Sequence, residues 1–307
     1  MINFYNIGRQ MYRMNNWREV HRLIIFIGRT YLQYPTMKKI YGFFMQDDLR
    51  REILAFSKFP IEQATRAFFY NGSTLSQRVC LIEYHFLYLQ KIIKAEALMN
   101  IYRNKDIYLW RIRNENINWY TVLTYHPGQR KEGLMALEMR FEGYSLYQMM
   151  FWINQDKNQE PALWIGAMQG PNMNNAKDFV KETTKIAHRY RTKNLILYMT
   201  MALARSLRVK HIYAVSNEGY YAMNHLRINR KLKTDFGVFW NEVGGHITND
   251  SRFYELPLVE PRKTLDEVPT RKRAVYRKRF AFQDDVDVQI VKNMEKIMKG
   301  EEDVYEI

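Results

Sequence analysis

One change of period divides this chain. Through about residue 104, apolar residues recur at the three-to-four spacing of helices. From Asp106 onward they alternate, as in "DIYLWRIR" and "NWYTVLTYHP", which is the two-residue period of half-buried strands. A helical domain of about a hundred residues thus precedes a mixed α/β domain. The expected class is α+β: an N-terminal helical region followed by a mixed, mostly antiparallel sheet with helices.

In the helical part, "NNWREVHRLIIFIGRTYLQYP" offers Asn15 or Asn16 as a cap and carries Trp17, Val20, Leu23, Ile24 and Ile27 at helical spacing before Pro35. "PTMKKIYGFFM" and "QDDLRREILAFSKFP" predict two shorter helices, the second ended by Pro60. "SQRVCLIEYHFLYLQKIIKAEALMNIY" predicts one long helix capped by Ser76, with His85 as a core or interface histidine. Strands are expected near 107–112, 119–125, 134–141, 145–153, 162–168 and 210–215, all in one sheet. In the third, Met135, Leu137, Met139 and Phe141 face one way and Glu138 and Arg140 the other. The expected divisions are residues 1–104, helical; 105–285, the α/β domain; and 286–307, a C-terminal helix with an acidic tail.

Net charge decides which partners to expect. A formal charge of +15 favours nucleic acid, an anionic membrane surface, or a phosphate-bearing small molecule. Cys80 is the single cysteine, so neither an intrachain disulfide nor a cysteine metal cluster is available, and no disulfide-linked partner is expected. No metal site is expected either. The apolar run Leu23–Ile27 is too short to span a bilayer, so the expected location is cytoplasmic, with peripheral contact at the inner membrane left open. No Walker loop, dinucleotide fingerprint, HExxH or GxSxG motif occurs.

The stretch "HRYRTKNLILYMTMALA" sets Arg189, Arg191 and Lys193, with His188 alongside, ahead of an apolar helix. A helix N-terminus already carries roughly half a positive charge, so cations there call for a compensating anion. Asn217 ends the strand "HIYAVSN", where open sheets hold ligands; it also suits capping of the next helix. In "TRKRAVYRKRF", six cations from Arg271 to Arg279 form a basic collar, suited either to phosphates of lipid or RNA or to plain solvation.

The order of these elements is similar to the N-acetyltransferase (GNAT) fold, which implies acyl-CoA as cofactor. On that resemblance Gln169, Gly170, Arg189, Arg191, Lys193 and Asn194 would hold the cofactor. Glu132 or Glu138 would be the general base, and Asn217 would help orient the reacting groups. The family's glycine-rich pyrophosphate turn is absent, and an extra helix near 175–187 separates strand from basic loop.

"IGAMQGP", "HRYRTKNLIL", "IYAVSNEGYY", "TDFGVFWNEVGG", "FYELPL" and "RKTLDEVPTRKRAVYRKRF", with "KEG" at Lys131–Gly133, resemble the bacterial VirK/YbjX family over about residues 60–285. Tyr220 stands where that pattern carries a histidine. The resemblance implies Gram-negative virulence, surface protein display and resistance to cationic antimicrobial peptides, and no particular reaction. Two functions follow as expectations. One is an acyl-CoA-dependent transferase acting on an envelope or peptide acceptor. The other is a non-catalytic factor, peripheral at the membrane or bound to RNA.

Overall fold

The structure, a computed structural model, describes residues 1–223 and 235–300. The acidic tail beyond Gly300 lies outside the described residues.

The helical spacing of the first hundred residues is realised as α1 (Phe4–Met11), α2 (Trp17–Leu32), α3 (Tyr34–Met45), α4 (Asp48–Phe56), α5 (Phe59–Thr65), α6 (Leu75–Ile92) and α7 (Ala95–Tyr102). The long helix expected from Ser76 differs in two ways. It is capped by Thr74, not Ser76, because Gln77 sits three residues on and its side-chain oxygen accepts the Thr74 amide, completing a capping box. It also breaks after Ile92. There Ile93 bridges to Met298 and the Lys94 amide donates to the Ile297 carbonyl, so tertiary bonds replace helical ones. His85 is fully buried. Its Nδ1 accepts the Ile153 amide at 2.9 Å, so the neutral ring carries its proton on Nε2, 2.9 Å from the Tyr102 hydroxyl. Burial pushes its pKa down to about 3.

Alternation produces β1 (Ile107–Arg111), β2 (Trp119–Thr124), β3 (Met135–Phe141), β4 (Tyr144–Gln155) and β5 (Pro161–Gln169), each antiparallel to the next. Helices α8 (Ala176–Ile186) and α9 (Thr192–Ser206) then cross over to β6 (His211–Val215), which pairs parallel with β5. Helix α10 (Phe236–Glu242) ends at a double glycine, with Gly244 at φ +87°. Strands β7 (His246–Ile247) and β8 (Phe253–Leu256) complete one sheet in the order β1-β2-β3-β4-β5-β6-β8-β7. All six expected strands lie in it, and the α+β class holds.

Helix α11 (Thr270–Ile297) packs on α9 and β1. Its Phe282 meets Trp110 and Trp119 with ring centroids 5.7 and 6.0 Å apart. Gln289 accepts the Arg111 amide and donates to the Arg111 carbonyl, both at 3.1 Å, while Asn293 donates to the Leu109 carbonyl. Amide side chains thus stand in for a missing strand and blunt the sheet edge.

Candidate functional site

Strand register sets Glu138, Gln148 and Gln169 opposite one another on β3, β4 and β5, a polar row across a sheet whose strands are otherwise mostly apolar. The segment before β3 folds over the end of this row. It can approach because two glycines lack side chains. A Cβ on Gly166 would lie 1.9 Å from the Glu132 carbonyl oxygen, and one on Gly133 would lie 2.7 Å from the Phe151 amide. Helix α5 fixes the segment from the other side, where Gln63 donates to the carbonyls of Arg130 and Gly133 at 2.7 and 3.0 Å.

Glu132 is left 3 % exposed. Tyr220 donates its hydroxyl to Glu132 Oε1 at 2.6 Å, and Gln169 donates to Oε2 at 3.2 Å. The Gln169 and Gln129 amides bind each other reciprocally at 2.7 and 3.0 Å. Burial raises the Glu132 carboxyl above its ordinary value, the Tyr220 hydrogen bond tempering the rise. Burial and the Glu132 charge push the Tyr220 phenol far above its own ordinary value, so it keeps its proton. Tyr220 is held in turn by a backbone bridge to Tyr70 from the helical region.

This cluster lies where two parallel strands part. Strands β5 and β6 pair from Ala162–Ile165 to His211–Ala214. Beyond that, β5 runs on to Gln169 beside β4, while the Ser216 amide turns to the Arg252 carbonyl.

The other expected carboxylate has opposite chemistry. Glu138 accepts from Arg140 at 2.5 and 2.9 Å and from Gln148 at 2.9 Å, with His126 at 3.5 Å. Burial alone would raise its carboxyl, but hydrogen bonds from His126, Arg140 and Gln148 outweigh that and hold it well below the carboxylate range. A carboxylate so stabilised is a poor base. Asn217 accepts the Phe236 amide at 2.8 Å and donates to Asp235 at 2.8 Å, serving the N-terminus of α10.

The basic stretch divides in two. Arg191 and Lys193 both close on Glu242 of α10, the lysine at 3.0 Å, so the protein itself supplies the negative charge beside them. Asn194 keeps a buried Oδ1 with no hydrogen-bond partner, and a Cβ on Gly170 would just touch the Tyr147 ring at 3.4 Å. His188 and Arg189 turn elsewhere. Both adopt left-handed backbone, φ 52° and 64°, and Arg279 donates to both carbonyls. They join Lys181, Lys185 and Lys278 around a cavity of about 490 Å³ between α8 and α11. None of these five makes an ion pair among the described residues. Burial and the neighbouring Lys278 and Arg279 push the His188 imidazole down. Asp156, Glu160 and His211 gather ligand atoms within 4.8 Å, yet Glu160 and Glu255 raise the His211 imidazole against the cost of burial, favouring an ion-paired imidazolium.

Sequence reasoning named Glu132 and Gln169 and marked Tyr220 only as standing in the place of a histidine; it missed Gln129 and the bond from Tyr220 to Glu132. The polar Gln169 in an otherwise apolar strand was the available signal, since a buried amide needs partners.

Fold and site define an α+β protein with an eight-stranded mixed sheet and a buried carboxylate–phenol centre at the parting of its parallel strands. The chain belongs to the family described as "Protein of unknown function (DUF535)", whose model matches residues 15–292. It is 28% identical over 227 residues to "Uncharacterized protein YbjX" of Escherichia coli (strain K12), covering 72% of this chain and 68% of that protein. An uncharacterized Haemophilus influenzae protein is 31% identical over 125 residues, covering 41% of each chain. A second is 29% identical over 129 residues, covering 42% of this chain and 43% of its own. These matches support the VirK/YbjX family. No solved structure matches significantly. Among the described residues no helix is long and apolar enough to cross a membrane.

Proposed function

We propose that this chain is an acyl-CoA-dependent transferase of GNAT-like architecture in which Glu132 is the general base. The observation that carries this is the buried Glu132 carboxyl, raised above its ordinary value, where the β5–β6 pairing ends. The strand order supports it: an antiparallel meander, one helical crossover to a parallel strand, then an antiparallel pair. The first turn of α9 has no side-chain cap, and a cofactor phosphate held there beside Asn194 would displace Glu242 from Arg191 and Lys193. Bound acyl-CoA would supply an activated thioester carbonyl. Glu132 would take the proton of an attacking amine from an envelope or peptide acceptor while Tyr220 holds the carboxylate in place; the amide C–N bond would form as the thioester C–S bond breaks, and CoA would leave and be protonated to the free thiol. A raised carboxyl is a stronger base than an ordinary one, and the rate rises with pH through its titration.

CoA thioesters are expected to raise the unfolding temperature and to release thiol in the presence of peptide amines. Glu132→Gln is expected to lower kcat by about 10²–10⁴ while leaving the CoA-induced stabilisation intact. Absence of both thiol release and stabilisation in the wild-type protein refutes the reading.

The cavity between α8 and α11 favours a second reading, a non-catalytic factor for a phosphate-bearing partner such as RNA. Replacing Lys181, Lys185 and Lys278 by Ala is expected to weaken binding of a short RNA and flatten the salt dependence by about two to three in log–log slope. Unchanged affinity and slope would show these cations to be merely solvated.

A further inference from the structure

Helix α2 has two apolar faces, and the core uses only one. Leu23, Phe26 and Thr30 are buried on one side. On the other, Trp17 is 77 %, Ile24 57 % and Leu32 83 % exposed, with Ile25 and Tyr31 beside them. At 100° per residue these five fall within an arc of roughly 120° together with Gly28 and His21. The stripe runs the full 16 residues of the helix, about 24 Å. Arg18, Arg22 and Arg29 follow along one flank of the stripe, Arg29 donating to the Thr65 carbonyl at 3.4 Å. The acidic residue of α2, Glu19, lies off that flank and accepts the Asn15 amide at 3.3 Å. Exposed apolar surface in such a continuous strip marks a docking face, not ordinary surface.

We propose that α2 docks flat on an anionic lipid surface, its apolar strip in the acyl boundary and its arginine flank at the phosphates. An apolar face bordered by cations, with Trp17 near one end and Tyr31 near the other, has the chemistry of an interfacial helix. At 16 residues and with three arginines on its flank, α2 lies in the interface and does not cross it. A second copy of the chain fits less well, because the carboxylate of its α2, Glu19, lies off the stripe and accepts the Asn15 amide. This inference stands apart from the Glu132 chemistry.

The test uses the full chain with vesicles of phosphatidylglycerol and phosphatidylethanolamine, compared with phosphatidylcholine vesicles. The wild-type protein is expected to partition to the anionic vesicles, with Trp17 quenched by brominated lipid and the quench lost in Trp17→Phe. Changing both Ile24 and Leu32 to Gln is expected to lower partitioning about a hundredfold with an unchanged unfolding temperature, since both side chains face solvent. Arg18→Gln with Arg22→Gln, which leaves the apolar strip whole, is expected to erase the preference for anionic vesicles. Three results would overturn the proposal: no partitioning of the wild-type protein, equal partitioning of the Ile24/Leu32 variant, or a wild-type dimer that this variant dissolves.

Discussion

Replacing Glu62 by Ala is expected to destabilise the fold by about 3–5 kcal/mol, because it strands buried positive charge. Glu62 has no exposed surface and accepts from Arg130 at 2.6 Å, from Arg66 at 3.0 Å and from the Tyr12 hydroxyl. Burial raises its carboxyl, but Arg130 first, then Tyr12 and Arg66, bring it below its ordinary value. A depressed carboxyl stabilises the fold above its unfolded pKa and loses that contribution as pH falls through the lower folded one. Urea unfolding should therefore separate wild type from Glu62→Ala widely at neutral pH and progressively less in acid. A gap that stays constant with pH would show that packing, not charge, holds this corner. Because Arg130 leads directly into the Glu132 segment, the variant is also expected to loosen the candidate site.

Gly166→Ala is expected to cost about 3 kcal/mol. The added methyl would meet the Glu132 carbonyl oxygen at 1.9 Å and Trp152 Cζ3 at 2.8 Å. Backbone on one side and an indole fully packed on the other leave little room to yield. The segment carrying Glu132 must lift, so the hydrogen bonds to Tyr220 and Gln169 weaken with the fold. Gly128→Ala is the matched comparison: nothing lies within 4 Å of its added Cβ, and a change within about 0.5 kcal/mol is expected. Thermal unfolding of both variants, with the fluorescence of the Trp152 environment, reads the difference. Equal stabilities would mean that the Glu132 segment is not seated on Gly166.

The local periods of the chain determined much of this architecture. Helical spacing before residue 105 and alternation after it were enough to place all six principal strands in one sheet, because which face of an element is apolar is written in neighbouring residues. His85 was legible as a core residue for the same reason. Glu132 and Gln169 were legible as polar residues at strand ends, but what each does was not. Glu132 and Glu138 are the same side chain six residues apart; Arg140, His126 and Gln148 hold one down, while burial beneath a distant tyrosine lifts the other. Tyr220 lies 88 residues from Glu132 in sequence, and Glu242 lies 51 and 49 residues from the two cations it neutralises. The apolar residues of α2 could be read, but not that half of them face solvent, since the spacing that builds a helix does not say how many sides the rest of the chain covers. Periodicity acts over a few residues and is carried by the sequence itself. Charge compensation and burial depend on what the folded chain brings within a few ångströms, and only the tertiary structure decided those.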